Sequence, residues 1–197
     1  MTSNGTPQTP VHPLILMDRP MPVLDFSKGY NPDIPKTEIY GIGGYTEKRE
    51  NMYLAPHFAG VRNIHMGIDI WMPAGTPVYA IRNGRIAYMA DHDEDGNYGA
   101  TIVTEYIING KPIFALHGHL SKDSLRRHKT GDSIRAGQII AELGEPSENG
   151  NWPPHLHFQI SPFDPGEADM PGVVSGEEFD EARKRYPDPR TILGPIY

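Results

Sequence analysis

The chain has 197 residues and is 38% hydrophobic, which fits one globular domain with irregular ends. Its net charge of -7 offers no basic stripe to a nucleic acid and no basic face to an anionic membrane, so neither is an expected partner. Since the chain has no cysteine, disulfides and thiolate ligands are excluded, and any bound metal must be held by nitrogen and oxygen atoms.

The N-terminal segment carries neither a basic n-region nor a long apolar stretch. Its apolar run from Leu14 to Met17 is too short for the hydrophobic region of a signal peptide. No later segment approaches the length that spans a bilayer. We therefore expect a cytoplasmic protein, or a periplasmic or secreted one if an export signal has been removed.

Proline and glycine are frequent throughout the chain. The 20 prolines and 21 glycines favour many short elements joined by tight turns, which is typical of an all-β protein. Residues 1–55 show no sustained hydrophobic periodicity, so we predict an irregular N-terminal arm packed on the core.

Strand-like alternation begins near residue 61. Asn83-Gly84 and Asn109-Gly110 lie between alternating runs and predict two-residue hairpin turns. The stretches "SIRAGQIIAEL" and "HLHFQI" predict two further strands. The pattern indicates mainly antiparallel sheets, arranged as an open barrel or sandwich, in a core domain that spans residues 56–170.

One convincing helix is predicted, late in the chain, within "SGEEFDEARKRY". Ser175 is a candidate N-cap, and Glu178 stands three residues later as its capping-box partner. We assign this short helix to a C-terminal extension, residues 171–197.

Two H-x-H pairs lie on predicted strands. Residues two apart on a strand share a face, so His155 and His157 point one way, about 7 Å apart, while the apolar residues between and after them point the other way. The same spacing places His117 and His119 on one face of a second strand. Two such pairs on apolar-backed strands suggest a cluster of imidazoles.

A third element combines an imidazole with a carboxylate. His65 and Asp69 would lie about 13 Å apart on a fully extended strand, so a shared ion requires the chain to bend, and Gly67 between them permits a bend. Two imidazoles, one carboxylate and an open fourth position are the composition of a catalytic zinc site. The H-E-x-x-H motif of zincins is absent.

Taken together, "NIHMGIDIW", "HGHLS" and "PHLHFQI" resemble, in that order, the LytM-like, lysostaphin-type zinc metallopeptidases of family M23. The resemblance covers roughly residues 61–161. It implies a fold of antiparallel sheets of the duplicated-hybrid-motif kind, with the site in a groove between loops. It also implies hydrolysis of peptide bonds, with cross-link peptides of peptidoglycan among the substrates.

The resemblance assigns roles to five side chains. It implies that His65, Asp69 and His157 hold one Zn²⁺ ion. It implies that His119 and His155 are the unligated catalytic pair, which orients or deprotonates the attacking water and stabilises the oxyanion.

Two positions depart from the family pattern. His117 stands where the family usually has an aromatic residue, and Trp152 with two prolines replaces the usual small, glycine-rich loop. Both are candidates for the substrate groove. A peptide or peptidoglycan-like molecule is the expected partner, and the sequence leaves the oligomeric state open.

Three alternatives remain. Some LytM-like domains have lost their ligands and act by contacting partner enzymes, so a binding or activator module is possible. The chain also resembles M23-type modules fused to kinase-like and class III aminotransferase domains, which allows a cytoplasmic small amide as substrate. A latent enzyme would take a fourth ligand from the N-terminal arm. The candidates for that ligand are Asn31, Asp33, Asn51 and His57.

An acidic stretch offers a second, weaker metal signal. Asp91, Asp93 and Asp95 followed by a glycine resemble the opening of a calcium loop, but Ile102 occupies the twelfth position, where a bidentate glutamate belongs. A solvated acidic hairpin tip is the better interpretation.

Overall fold

The structure is a computed structural model that describes residues 11–31, 33–35 and 38–197. Its strands are Val23–Leu24 (β1), Gly41–Gly43 (β2), Ile64–His65 (β3), Ile68–Trp71 (β4), Pro77–Tyr79 (β5), Gly84–His92 (β6), Gly99–Ile108 (β7), Lys111–Leu120 (β8), Ser133–Ile134 (β9), Ile139–Glu142 (β10), His155–Ser161 (β11) and Val173–Val174 (β12). Its helices are a 3-10 turn, Pro56–Phe58, and the α-helices Lys122–Arg126 (α1), Phe179–Arg185 (α2) and Arg190–Leu193 (α3).

The central sheet has eight strands in the order β1-β2-β4-β11-β8-β7-β6-β9. Except for the parallel pair β1 and β2, its neighbouring strands are antiparallel. Two small antiparallel sheets, β5 with β10 and β3 with β12, complete the fold. The predicted all-β class with antiparallel sheets and a short C-terminal helix is confirmed, whereas the domain boundaries stay a prediction.

The strand β11 shows how alternation builds the molecule. Its apolar residues Leu156, Phe158 and Ile160 belong to the main hydrophobic core, which also receives residues from β4, β7 and β8. Full burial of such a side chain contributes roughly 1.5–3 kcal/mol. The residues that alternate with them, His155 and His157, are also buried, on the opposite face of the sheet. The apolar face therefore fixes where the histidines point.

Of the two predicted hairpins, one forms. Asn109 and Gly110 connect β7 to β8 with φ angles of 53° and 76°, as the prediction requires. The hairpin at Asn83-Gly84 is wrong, because β5 pairs with β10 while β6 pairs with β7 and β9. The side chain of Asn83 instead accepts a hydrogen bond from the backbone of Ala136 at 2.9 Å.

Elsewhere the predictions hold in part. The stretch "SIRAGQIIAEL" divides into β9 and β10, which lie in different sheets. Ser175 and Glu178 exchange side-chain to backbone hydrogen bonds of 2.9 and 3.3 Å, which confirms the capping pair, although α2 begins only at Phe179. The short helices α1 and α3 were not predicted, since five and four residues carry too little periodicity.

The N-terminal arm is irregular over most of its described length, but it pairs with strands of two different sheets. Strand β2 pairs with β4, so that Gly43 lies opposite Asp69. Further along, Lys48 forms an isolated bridge with Ile64 of β3. Among the described residues, none of the helices has the length and apolarity that crossing a membrane requires.

Candidate metal centre

Two neighbouring strands and a bend bring the predicted ligands together. In the antiparallel pair of β4 and β11, His157 lies directly opposite Asp69, and the two side chains share one face. His65 ends β3, and the chain then turns at Met66 and Gly67 before β4 begins. The predicted bend is therefore present.

The donor atoms of these three residues converge. The distance from His65 Nε2 to His157 Nδ1 is 3.0 Å, and the Oδ1 atom of Asp69 lies 3.2 Å from the first and 3.1 Å from the second. Ligand atoms about 2.0–2.1 Å from a tetrahedral zinc ion are separated by about 3.3 Å. The spacing therefore suits one small divalent cation.

The remaining ring nitrogens show which atoms carry protons. His65 Nδ1 lies 2.9 Å from the carbonyl oxygen of Gly44, and His157 Nε2 lies 3.1 Å from the amide oxygen of Gln159. Oxygens of this kind only accept, so each of these nitrogens donates, and the lone pairs of His65 Nε2 and His157 Nδ1 face each other beside a carboxylate. Such a buried group of acceptors is unfavourable unless a cation lies between them. The donor set thus fits zinc.

The charges around the site favour ligation. Burial opposes ionisation of Asp69, but His65 and Arg49 hold the pKa of its carboxyl well below the usual range. Burial and the charge of Arg49 lower the pKa of His65 to about 4. Asp69 and His65 therefore present an anionic oxygen and a neutral imidazole at neutral pH, and all three candidates are buried.

The other two predicted site histidines lie beside this group. His119 Nδ1 donates to the carbonyl oxygen of Asn149 at 2.9 Å, and His155 Nδ1 donates to that of Pro153 at 2.7 Å. Each Nε2 is consequently an unprotonated base. The two rings are 4.2 Å apart, and His155 Nε2 lies 3.9 Å from Asp69 Oδ1.

Both of these histidines are neutral near pH 7. Burial lowers the pKa of His155 to about 4, and burial together with the neighbouring His155 holds the pKa of His119 well below its ordinary value. Trp71, which faces His155 across the strand pair, stacks on its ring at 4.0 Å and fixes its orientation.

The structure corrects the expectation for His117. A bulge in β8 places two residues, Gly118 and His119, where β7 supplies one, and His119 has a left-handed φ of 62°. His117 consequently pairs with Phe158 and contacts its ring at 5.2 Å, on the core face of the sheet, rather than facing the same way as His119. It is fully buried and does not line the cavity described below.

A cavity of about 290 Å³ lies over the metal centre. Trp152 lines it, as predicted, and donates through Nε1 to the carbonyl oxygen of Asn97 at 3.2 Å. The wall also contains aromatic side chains from the arm and the loops. They are Tyr30, Tyr53, Phe58 and Tyr98. The arm is therefore part of the site.

Among the described residues, no carboxylate or imidazole of the arm joins the three candidate ligands. The group of donor atoms within 4.8 Å of one another contains His65, Asp69 and His157. Among the arm candidates, His57 lines the cavity, and the other three are not among its lining residues. What the arm brings to the ligands is a cation: Arg49 Nη1 donates to Asp69 Oδ2 at 2.6 Å.

Several residues of the site could not be identified from sequence patterns. Arg49 lies in a segment without periodicity, and Tyr98 follows an acidic loop. Lys122 of α1 forms ion pairs with Asp91 and Asp93 of this acidic stretch at 3.2 and 2.9 Å, so a lysine ammonium supplies the positive charge there.

Three converging protein donors with room for further ligands define a site of the catalytic rather than the structural kind. Residues 63–168 match the family model described as Peptidase family M23. This match covers more than half of the chain, and the chain belongs to peptidase family M23.

Curated relatives share this region. Lysostaphin of Staphylococcus staphylolyticus is 39% identical over 107 residues, which are 53% of this chain and 20% of that protein. Glycyl-glycine endopeptidase ALE-1 of Staphylococcus capitis is 39% identical over 97 residues, 48% of this chain and 24% of the relative. The peptidoglycan DD-endopeptidase ShyB of Vibrio cholerae is 32% identical over 111 residues, 54% of this chain and 24% of the relative.

The chain spans less than a quarter of the length of these relatives. Among solved structures, the catalytic domain of lysostaphin from Staphylococcus simulans aligns with a TM-score of 0.45 and 26% identity. That alignment covers 72% of this chain and 92% of the domain.

Proposed function

We propose that this chain is a zinc-dependent hydrolase of peptide bonds whose substrates are cross-link peptides of peptidoglycan. The observation that carries the proposal is the convergence of His65 Nε2, Asp69 Oδ1 and His157 Nδ1 beside two neutral imidazoles. An inert binding module has no chemical need for these five side chains. The names of the relatives, which include a glycyl-glycine endopeptidase and a DD-endopeptidase, support the substrate class.

Two histidines of the chain handle the proton in the proposed hydrolysis. A bound zinc ion supplies Lewis acidity, which polarises a carbonyl and makes a water molecule more acidic. His119 and His155 each have a free Nε2, so one of them accepts the proton of the attacking water and then donates it to the leaving amine, while the other orients the water. While it carries this proton, the imidazolium of that histidine also stabilises the negative charge that develops on the carbonyl oxygen.

The walls of the cavity select and hold the peptide. Tyr53 and Trp152 contact each other at 5.9 Å between ring centroids and form one side of the cavity. Aromatic rings of this kind bind the apolar and backbone faces of a short peptide and exclude bulk water. Asn149 and Pro153 hold the bases in place through their carbonyl oxygens.

The proposal is tested by metal content and hydrolysis in the same preparations. Purified wild-type protein is expected to hold one zinc per chain and to cleave either pentaglycine or a DD-cross-linked muropeptide. His157→Ala is expected to lose both zinc and activity, since it removes a ligand. His119→Ala is expected to retain zinc and lose activity, and His128→Ala, a histidine outside the site, serves as the matched control.

Zinc-free wild-type protein with an intact fold would contradict the proposal and favour a binding module. A zinc protein that leaves both peptidoglycan substrates intact but hydrolyses small amides would contradict the substrate class alone.

A further inference from the structure

We propose that Arg49, from the N-terminal arm, is a positioning residue that restricts Asp69 to ligating the metal through one oxygen. The inference rests on the proposed zinc site. It concerns how many coordination positions of the metal the protein occupies. Arg49 Nη1 donates to Asp69 Oδ2 at 2.6 Å, while Asp69 Oδ1 faces His65 and His157. The two oxygens of one carboxylate are thereby given separate partners.

Arg49 is held firmly enough to act in this way. Its side chain is only 1% exposed. Its Nε donates to Glu47 Oε2 at 2.8 Å, and its Nη1 also donates to the hydroxyl of Tyr53 at 3.0 Å. The other carboxylate oxygen of Glu47 accepts from the backbone of Phe26 at 2.7 Å, and the ring of Phe26 lies 5.1 Å from the guanidinium carbon.

The backbone around Arg49 is in register with the strand that carries a ligand. Thr46 N donates to His65 O at 2.8 Å, and His65 N donates to Glu47 O at 3.0 Å. Arg49 N then donates to Asn63 O at 2.8 Å. These backbone hydrogen bonds join the arm to β3. The same bonds therefore position both the Arg49 guanidinium and the His65 imidazole.

One donor group of the guanidinium has no partner in the part of the chain that the structure describes. Its Nη2 is buried beside Gly43, where an added Cβ would come within 2.5 Å of it, and it has no hydrogen-bond partner among the described residues. A buried donor without a partner costs free energy of folding. The contact that Arg49 Nη1 makes, with Asp69 Oδ2, keeps that oxygen on the side of the guanidinium.

The consequence concerns the open side of the site. For Oδ2 to rotate toward the metal, a short charge-assisted hydrogen bond in a buried site would have to break. With that rotation prevented, the protein supplies three ligand atoms, and the remaining coordination positions are available to the substrate. Arg49 acts on the reaction through Asp69 and does not itself contact the reacting atoms.

The test is Arg49→Met, which keeps an unbranched side chain and removes every donor. In its zinc-loaded crystal structure, Asp69 is expected to ligate the metal through both oxygens. The zinc affinity, measured by competition with a chelator, is expected to rise about tenfold or more, because a neighbouring cation is removed and a ligand atom is gained. The kcat/KM is expected to fall about 100-fold, because the position for the substrate is blocked.

Three further variants make the experiment decisive. Arg49→Lys keeps a charge that pairs with Oδ2, so one-oxygen ligation and most of the activity are expected to survive. Arg49→Met with Glu47→Gln removes both members of the buried pair together and avoids an uncompensated carboxylate if the single variant folds poorly. Arg127→Met breaks a surface ion pair with Glu142 of 2.8 Å and is expected to behave as wild type.

The result that overturns the inference is an Arg49→Met protein, or its double variant, in which Asp69 still ligates through one oxygen. A loss of zinc affinity that parallels a loss of thermal stability would overturn it as well, since that is the pattern of a structural residue. If wild-type protein binds no zinc at all, the proposed function fails first. If wild type binds zinc and hydrolyses peptides while the Arg49 variants leave Asp69 unchanged, only this inference fails.

Discussion

Each histidine of the site uses one ring nitrogen to fix its orientation and leaves the other free. The protonated nitrogen of each ring donates to a carbonyl or amide oxygen. These acceptors belong to Gly44, Gln159, Asn149 and Pro153. As a result, the tautomers are determined by neighbours that lie outside the spacing motifs. The H-x-H pattern therefore predicts which histidines meet, but it does not predict which nitrogen of each ring is available.

His117 shows how a single bulged residue changes the role of its neighbour. His117 has the spacing of a site histidine. Because the backbone at His119 is left-handed, the two side chains point to opposite faces, and His117 contacts Phe158 in the core. Its Nδ1 donates to the carbonyl oxygen of Ile102 at 3.2 Å, and its Nε2 has no partner among the described residues. Burial lowers the pKa of His117 to about 4.

This lowered pKa makes His117 a destabilising group in acid. Its folded-state pKa lies below the ordinary value of about 6.5, so the unfolded chain binds the proton more strongly, and stability is lost as the pH falls from about 6.5 to about 4. The free energy of unfolding decreases between about pH 7.5 and about pH 5 in the wild type. We predict that this decrease is about 2 kcal/mol smaller in His117→Leu. Urea unfolding at the two pH values measures it. Parallel pH profiles for variant and wild type would contradict the assignment.

At the scale of elements, the bend between β3 and β4 is what makes a shared metal possible. Gly67 lies in this bend, and its role is close packing. A Cβ at that position would lie 2.6 Å from His157 Cε1 and 2.7 Å from the carbonyl oxygen of Phe158. The ligand ring on β11 thus occupies the space that a side chain on residue 67 would take.

We predict that Gly67→Ala displaces the His157 ring and weakens zinc binding by about 10-fold or more, with a loss of stability of roughly 1–3 kcal/mol from overpacking. Zinc competition titrations and thermal melts of the metal-free protein measure the two effects. Gly176→Ala is the matched control, because a Cβ there meets nothing within 4 Å. Unchanged zinc affinity in Gly67→Ala would show that this contact does not hold the ligand.

The elements that could be predicted are those decided by local sequence. Alternation identified β11 and its two faces, and Asn109-Gly110 identified the β7–β8 turn, since a two-residue loop fixes its own pairing. Asn83-Gly84 has the same local signal and fails, because β5 finds a better partner in β10, far along the chain. The bulge at His119 could not be predicted either, since it depends on how three strands register against one another.

At the scale of the whole molecule, the site is assembled from four separate parts of the chain. The ligands come from β3, β4 and β11, and the arm delivers Arg49 to the carboxylate of Asp69. The candidate ligands could be predicted from the sequence because spacing and family resemblance both point to them. Arg49 was not, because its importance arises only from a contact with a residue 20 positions later, in a fold that brings arm and strand together.

The central claim is that the donor atoms of His65, Asp69 and His157 hold one divalent ion. Its most direct test is a crystal of zinc-loaded protein with diffraction data collected on both sides of the zinc absorption edge. We predict a single anomalous peak about 2.0–2.2 Å from His65 Nε2, Asp69 Oδ1 and His157 Nδ1. A zinc-saturated crystal with no peak between these three atoms, or with the ion bound elsewhere, would contradict the account.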